Sequence, residues 1–323
     1  MSMRLVMMGT GTFALPTLRA LLASLDSVAA LYTQPDRSGR GHHHHRNLMK
    51  ELAAEHGVPV FQPDSVNTPE SLSELGELQA DLYVVAAYGQ ILSADLLSLP
   101  RFGAINVHAS LLPKYRGAAP IPFAILGGES ETGVTIFRIE PKLDAGPVLG
   151  SISTPIDSRE TSGELELRLA ELAVRLTLDV VSRIETGECR PIDQDLALVT
   201  RAPRLTKADG QIDWTRKAQQ IDRHVRAMQP WPGSFSFVEI TPAQTVRVMI
   251  TDVEVTEGMP DAVPGQVLVA DGKRLVIQAG SDALVVYRLK PEGKRAMSVA
   301  EFQCGHALSE NSRMLNAGTP AEG

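Results

Sequence analysis

Residues 103–120 read Gly-Ala-Ile-Asn-Val-His-Ala-Ser-Leu-Leu-Pro-Lys-Tyr-Arg-Gly-Ala-Ala-Pro. A short, mostly apolar run at the start of this stretch is followed by polar side chains. The apolar run predicts a buried strand over 103–107. Because successive side chains of a strand alternate between faces, Asn106 and His108 should project in the same direction beyond the strand's carboxyl end. Open α/β sheets bind their ligands at that edge. A rigid turn over 110–113 follows directly.

An amide beside an imidazole suits one task well, which is to hold a carbonyl oxygen as it becomes an oxyanion. Asparagine supplies an N–H donor, and histidine can donate, accept or change charge near neutral pH. Donors fixed around such an oxygen are a common source of catalytic rate. An isolated Asn-x-His is also typical of a turn cap beside a satisfied histidine. Residues elsewhere in the chain have to decide between these two interpretations.

Asp144 is the candidate carboxylate partner of this pair. It lies in the turn Leu-Asp-Ala-Gly at 143–146, where Gly146 allows close approach to other backbone. An aspartate in a turn usually bonds its own backbone. If Asp144 instead meets His108, the two form a base and its orienting group, with Asn106 as the electrophilic partner.

The pattern of apolar runs predicts an α/β fold with a second, smaller domain. Continuous apolar strands separated by helical patterns indicate a mostly parallel, Rossmann-like sheet, followed by an antiparallel pair at 133–139 and 147–154. Helices are predicted over 160–187 and 214–228. Short strands beyond residue 234, separated by turn signals, indicate a small OB-like β-barrel. The predicted boundaries are a catalytic domain at 1–189, a linker at 190–207, a barrel at 208–315 and a tail at 316–323.

Composition and charge limit the function classes. The 323 residues, 43% of them hydrophobic and 21% charged, are typical of a soluble protein long enough for two domains. No apolar run reaches the length of a membrane span, and Met1 to Gly9 predicts a first strand and not a secretory signal. Cys189 and Cys304 lie far apart in sequence and lack metal-type spacing. We therefore expect a protein of the reducing cytoplasm in which both are ordinary thiols.

The net charge of −7 argues against a nucleic-acid partner, but it is unevenly spread. Residues 201–323 hold 15 Lys and Arg against 14 Asp and Glu, which leaves −8 on residues 1–200. The second half is therefore near neutral and carries cation-rich stretches that suit either a solvated helix face or an RNA backbone. These stretches are 201–207, 216–217, 223–226 and 290–295.

Two loops carry motifs with open interpretations. Gly9-x-Gly11-x-x-Ala14 matches a dinucleotide-binding fingerprint, but a tight strand-to-helix turn needs the same glycines. The polar loop 36–46, Asp-Arg-Ser-Gly-Arg-Gly-His-His-His-His-Arg, faces either phosphate or only solvent. Four adjacent histidines on a flexible loop make a poor tetrahedral site, so no metal is predicted.

Together these motifs resemble the formyltransferase family that uses 10-formyltetrahydrofolate, and the resemblance covers nearly the whole chain. It rests on Asn-Val-His-Ala-Ser-Leu-Leu-Pro at 106–113, Glu-Thr-Gly-Val-Thr at 131–135 and Leu-Asp-Ala-Gly at 143–146. Thr-Gln-Pro-Asp-Arg at 33–37 and Pro-Trp-Pro-Gly at 230–233 are similar to the members that formylate methionyl initiator tRNA.

The resemblance implies a catalytic trio of Asn106, His108 and Asp144. The α-amino group of methionyl initiator tRNA would attack the formyl carbonyl, Asn106 and protonated His108 would stabilise the oxyanion, and Asp144 would orient His108 and accept or relay the amine proton. It further implies a monomer without metal, in which the Gly9 turn is architecture. The implied folate contacts are Tyr88, Gly89, Gln90, Ile91, Leu92, Ser110, Leu111, Leu112 and Pro113. The implied tRNA contacts are Arg37, Arg40, Lys207 and Arg223.

Other activities share parts of this pattern. Formyl transfer to an amino sugar nucleotide or to glycinamide ribonucleotide would use the same trio. Glycinamide enzymes lack the barrel, however, and sugar enzymes lack the cationic loop. A hydrolase that releases formate is a further neighbour. A non-catalytic RNA-binding protein on an inherited scaffold would have no need of the three residues together.

The histidine run generates a first prediction, because His42 to His45 stand where the family usually has a lysine-led stretch. Protonated imidazoles add positive charge opposite phosphates, so we expect initiator tRNA to bind more tightly at pH 6 than at pH 8. Dissociation constants measured at constant ionic strength check this. A variant with the four histidines changed to glutamine should lose the difference. Equal constants for the native chain at both pH values would contradict the prediction.

Overall fold

Two units make up the fold, and each is described by itself. The computed structural model describes residues 2–36, 46–241, 244–306, 308–309 and 312–316. The first unit comprises Met1–Ile121, Ser130–Ile156 and Glu164–Pro203, and the second comprises Pro122–Glu129, Asp157–Gly163 and Arg204–Gly323. The predicted histidine run and the predicted tRNA contacts Arg37 and Arg40 lie outside the described residues.

A seven-stranded sheet forms the centre of the first unit. Its strands are β1 (Arg4–Gly9), β2 (Ser27–Tyr32), β3 (Val60–Phe61), β4 (Leu82–Ala86), β5 (Ala104–His108), β7 (Glu131–Arg138) and β8 (Val148–Pro155). They lie in the order β3-β2-β1-β4-β5-β7-β8. The first five strands are parallel to one another, and β7 runs antiparallel to both of its neighbours, β5 and β8. The predicted mostly parallel sheet with an antiparallel pair is confirmed.

The strand order reverses between β1 and β4, so the switch point of the sheet lies between these two strands, and β5 is the next strand beyond β4. The side chains of β1 after its first residue, and all of those of β4, are buried, which explains their continuous apolar sequences. The helices of this unit are α1 (Gly11–Leu22), α2 (Leu48–Glu55), α3 (Pro69–Glu77), α4 (Ala94–Leu97) and most of α6 (Ser162–Thr186), whereas most of α5 (Pro120–Gly127) belongs to the second unit.

Part of the predicted linker 190–207 is built into the first unit. Two short strands, β6 (Arg116–Gly117) and β9 (Arg201–Ala202), pair in parallel as a separate sheet. Val148 and Ile192 exchange backbone hydrogen bonds of 2.7 and 2.8 Å. Residues 190–203 therefore run along the site-bearing part of this unit.

The second unit contains an antiparallel barrel, as predicted. Its strands are β10 (Phe235–Thr241), β11 (Gln244–Thr256), β12 (Val267–Ala270), β13 (Leu275–Gln278), β14 (Ala283–Pro291), β15 (Met297–Ser298) and β16 (Arg313–Leu315). They follow the order β12-β13-β14-β11-β10-β16, with β15 paired to β14. A bridge between Gln266 and Arg313 joins the two ends of this order, so the barrel is nearly closed.

Helices α7 (Ala218–Ala227) and α8 (Val299–Gly305) belong to the second unit, as does most of α5. The prediction of a helix from residue 214 is wrong at its start. The Asp213 carboxylate accepts from the Thr215 N–H and hydroxyl and forms a local turn, while the Trp214 ring is buried in the barrel core. The indole N–H of Trp214 donates to the Ser236 hydroxyl at 2.9 Å, so this ring anchors the barrel.

Gly9 illustrates why the first turn needs small residues. A Cβ at Gly9 would lie 2.9 Å from both the Ala86 carbonyl oxygen and the Ala14 Cβ. This close approach of β1, β4 and α1 is a packing requirement, and it agrees with reading the Gly9 turn as architecture.

Replacing Gly9 by alanine should therefore destabilise the first unit by about 1–3 kcal/mol, because neither neighbour has room to move freely. The same change at Gly76, in helix α3 with no atom within 4 Å of the added Cβ, should be neutral or stabilising. Urea unfolding of both variants measures the difference. Equal losses of stability at the two positions would contradict this account.

Candidate active site

Strand β5 delivers Asn106 and His108 to the carboxyl edge of the sheet. Val85 of β4 is the neighbour of Asn106, so the two strand ends lie side by side. Asn106 is half-buried, and among the described residues its side-chain amide has no hydrogen-bond partner. An amide held at a strand end without a protein partner is available to a ligand.

His108 is only 5% exposed, and the contacts of its two ring nitrogens differ. Nε2 lies 3.0 Å from the Tyr115 carbonyl oxygen. A carbonyl only accepts, so Nε2 carries a proton, and in the neutral ring Nδ1 is the unprotonated nitrogen. Nδ1 lies 4.0 Å from Asp144 Oδ2. The structure thus brings His108 and Asp144 together, with the basic nitrogen directed at the carboxylate.

Burial lowers the pKa of His108 below its usual 6.5, and this effect outweighs the opposing effects of the Asp144 charge and the Tyr115 carbonyl. The resting imidazole is therefore neutral at pH 7. The predicted donation by a protonated His108 therefore requires that the ring first gain a proton at Nδ1.

Asp144 does not use its carboxylate to bond its own turn. Oδ2 accepts the Gly117 N–H at 2.7 Å, across to β6. The side chain is almost fully buried, and the backbone is in the left-handed region with φ of 46°. Of the two interpretations of Asp144, the geometry favours the one that pairs it with His108.

Backbone strain is concentrated here. Five described non-glycine residues have positive φ, and three of them surround the site: Ala87 after β4, Tyr115 and Asp144. Such conformations cost on the order of 1 kcal/mol each and persist where the surrounding structure enforces them. Tyr115 is an example: its backbone has a φ of 60°, and its carbonyl oxygen accepts the hydrogen bond from His108.

The predicted folate contacts at 110–113 form a braced turn. Ser110 is fully buried, and its hydroxyl donates to the Lys114 carbonyl at 2.7 Å. Thr135 Oγ1 donates to the Ser110 carbonyl and accepts the Leu112 N–H, at 2.7 and 3.0 Å. Ser110 thus shapes the turn, while the half-buried Leu111, Leu112 and Pro113 retain surface for a ligand.

The predicted folate contacts at 88–92 divide by role. Tyr88 and Leu92 lie in the hydrophobic core. The Gln90 side chain accepts the Val66 N–H and donates to the Pro63 carbonyl, so it braces the loop. Gly89 and the 79%-exposed Ile91 remain accessible. Folate contact by this segment stays a prediction, and only Gly89 and Ile91 offer exposed surface for it.

Two predicted tRNA contacts lie in the second unit. Lys207 is exposed, and the half-buried Arg223 guanidinium covers Gly128. Within the part of the chain that the structure describes, neither side chain pairs with a carboxylate. Both cations are thus free to meet phosphate.

Sequence reasoning missed Gln194 and the role of Arg116. Gln194 hydrogen-bonds the carbonyl of Asp144, although it lies 50 residues away in the predicted linker. No motif marks Gln194. The sequence did contain one indirect signal, which was Arg116. This cation lies inside the site-bearing stretch, and once buried its guanidinium needs a hydrogen-bond acceptor.

Neither a metal centre nor a membrane helix is found in the described ranges. No group of three His, Cys, Asp or Glu residues there is placed to hold a metal ion. Likewise, no described helix is both long and apolar enough to cross a bilayer.

Comparison with known proteins identifies this fold as that of a family of group-transfer enzymes. The formyl transferase family matches residues 3–181, and the formyl transferase C-terminal domain matches residues 204–307. A methionyl-tRNA formyltransferase of Methylococcus capsulatus is 45% identical over 95% of this chain and 98% of that protein. The chain belongs to the formyl transferase family.

Solved structures share the fold at low identity. One is the N-formyltransferase from Helicobacter canadensis in complex with folinic acid and dTDP-3-aminofucose, with a TM-score of 0.65 and 17% identity over 88% of this chain and 99% of that one. Another is HypX from Aquifex aeolicus in complex with tetrahydrofolic acid, with a TM-score of 0.62 and 17% identity. It covers 94% of this chain, which spans about half (47%) of HypX.

The ring contacts predict the titration of His108. Its pKa, followed by NMR, should lie below 6.5, and Asp144→Asn should lower it further because the carboxylate charge favours the imidazolium. Asp95→Asn, a surface carboxylate on α4, should leave it unchanged. A pKa above 6.5, or a rise in the Asp144→Asn variant, would contradict the assigned contacts.

Proposed function

We propose that this chain transfers the formyl group of 10-formyltetrahydrofolate to the α-amino group of methionyl initiator tRNA. The observation that carries the proposal is the pairing of His108 Nδ1 with Asp144 Oδ2 at 4.0 Å, two residues along β5 from the unpartnered amide of Asn106. Full-length relatives named methionyl-tRNA formyltransferase support the choice of acceptor.

Asn106 provides the fixed donor of the reaction. Its amide N–H bonds the formyl oxygen, and the bond strengthens as that oxygen becomes an oxyanion in the tetrahedral intermediate. A single donor of this kind is typically worth about 10²–10³ in rate. Because no described protein group competes for the amide, the donor needs no rearrangement before the reaction.

His108 moves the proton. As the substrate amine bonds the formyl carbon, Nδ1 takes the amine proton, and the imidazolium is stabilised by the Asp144 carboxylate. The 4.0 Å between Nδ1 and Oδ2 is too long for a direct hydrogen bond, so the carboxylate acts on the imidazolium through its charge. When the intermediate collapses, the bond from the formyl carbon to the folate nitrogen breaks and His108 returns the proton to that nitrogen.

The surroundings of the trio within the first unit fit a flat folate ring. The accessible Gly89 and Ile91 and the braced turn 110–113 offer a wall for the ring, with polar backbone at its edge. Lys207 and Arg223, together with Arg37 and Arg40, would meet tRNA phosphates. The enzyme would act as a cytoplasmic monomer.

The competing acceptor is an amino sugar nucleotide. The resemblance to a sugar N-formyltransferase is confined to fold at 17% identity, whereas the 45%-identical relative is full length and named for methionyl-tRNA. The barrel and the unpaired cations on it further favour RNA over a small nucleotide.

The assigned roles predict that Asn106→Ala and His108→Ala each lower kcat by at least about 10²-fold, with tRNA affinity within about twofold of native. Transfer of radiolabelled formyl to charged initiator tRNA measures the rate, with elongator methionyl-tRNA as the substrate control. His56→Ala, a surface histidine, is the matched control and should retain full activity. Loss of tRNA binding with turnover retained would refute the roles.

A further inference from the structure

Gln194 connects two buried parts of the first unit through one side-chain amide. Its Oε1 accepts from Arg116 Nε and Nη2 at 3.1 and 2.7 Å. Its Nε2 donates to the carbonyl oxygens of Asp144 and Gly146 at 2.9 and 2.7 Å. Both donors and both acceptor positions of the amide are used, so the side chain is held in one orientation.

Arg116 determines that orientation. It is 7% exposed, and in the described part of the chain its guanidinium contacts no acceptor other than Gln194. A guanidinium only donates, so the amide oxygen must face it and the amide nitrogen must face the two carbonyls. Donation from the cation also polarises the amide and strengthens the bonds on its other side.

The turn that receives these bonds is under strain. Asp144 has a φ of 46°, and a Cβ at Gly146 would collide with the Arg138 carbonyl, so the loop is pressed against β7. The direction of the Asp144 side chain follows from the orientation of its peptide groups. Bonds from Gln194 to the carbonyls of Asp144 and Gly146 therefore restrain where the carboxylate points.

Strand β6 anchors the carboxylate from two sides. The Gly117 N–H bonds Asp144 Oδ2 directly, and the preceding Arg116 acts through Gln194. The segment that carries Gln194 also holds β6, because the Arg116 N–H bonds the Thr200 carbonyl at 3.0 Å. The Tyr115 N–H bonds the Thr200 hydroxyl at 2.8 Å, and the Tyr115 carbonyl fixes His108.

We propose that Gln194 is a positioning residue that holds the Asp144 turn so that Oδ2 stays beside His108 Nδ1. The inference rests on the proposed function only in that Asp144 assists His108. Within this pair, Gln194 itself hydrogen-bonds only the backbone of Asp144, and neither the Asp144 carboxylate nor the His108 ring.

Two substitutions of Gln194 distinguish its proposed role in positioning Asp144 from a role as the hydrogen-bond acceptor of the buried Arg116. Gln194→Met removes all four hydrogen bonds. Gln194→Glu keeps an acceptor for Arg116 but replaces the amide donor by an oxygen facing two carbonyls. For positioning, both variants should lower kcat about 10–100-fold with KM for each substrate within about twofold, as expected for a displaced catalytic group. Full activity of Gln194→Glu would overturn the proposal, because it would mean that only the Arg116 partner matters.

The matched control is Gln229→Met in the second unit. Gln229 Nε2 likewise donates to two backbone carbonyls, those of Val225 and Thr251, at 2.9 and 3.0 Å. Its variant should keep native kcat. Circular dichroism and the thermal midpoint of each variant establish that the comparison is between folded proteins, and the less disruptive Gln194→Glu keeps the test decisive if Gln194→Met does not fold.

The position of the carboxylate has its own readout. If Asp144 moves away, the pKa of His108 measured by NMR should fall in Gln194→Met, which adds no charge of its own, towards its value in Asp144→Asn, since both variants remove the Asp144 charge from the ring. An unchanged His108 pKa would overturn the proposal even if kcat fell.

A double-mutant cycle distinguishes this inference from the proposed function. Gln194→Met should cause no further loss of kcat in an Asp144→Asn background, because the residue acts through Asp144. Multiplicative losses, or a native rate for Gln194→Met beside a slow Asp144→Asn, would overturn the positioning role alone. A native rate for Asp144→Asn would instead refute the proposed role of Asp144.

Discussion

The hydrogen bond from His108 Nε2 to the Tyr115 carbonyl is the interaction on which the site depends. It assigns the proton of the neutral ring to Nε2 and leaves Nδ1 as the unprotonated nitrogen that faces Asp144. The bond also requires Tyr115 to adopt a φ of 60°, a conformation that most residues avoid. The turn 110–114, β6 and the segment up to Thr200 all serve to hold that one carbonyl in place.

The electrostatics of the site follow from this arrangement. Burial disfavours the charged form of His108 and lowers its pKa, whereas the Asp144 charge restores part of the stability of the imidazolium. The two effects together suit a group that must take up a proton and then release it. A carboxylate in direct contact with the ring would favour the charged form more strongly than Asp144 does at 4.0 Å.

Most of the fold was predictable because it depends on local patterns. Apolar runs such as β1 and β4 define the parallel sheet, and the short loop between β7 and β8 allows only an antiparallel pair. The start of α7 was not predictable, since a side-chain turn at Asp213 and the burial of Trp214 override a helical pattern. In the site, Asn106, His108 and Asp144 carry recognisable residue types. Gln194 does not, because its role arises only from a contact across 50 residues.

The nearly closed barrel has a consequence for how the chain is made. Its last strand, β16, pairs with β10 and also meets the start of β12 through Gln266 and Arg313. Strands β10 to β14 therefore present an unsatisfied edge until residue 315 has left the ribosome, whereas the first unit is complete once residue 203 has emerged. During translation the first unit can therefore fold before the barrel has received its final strand.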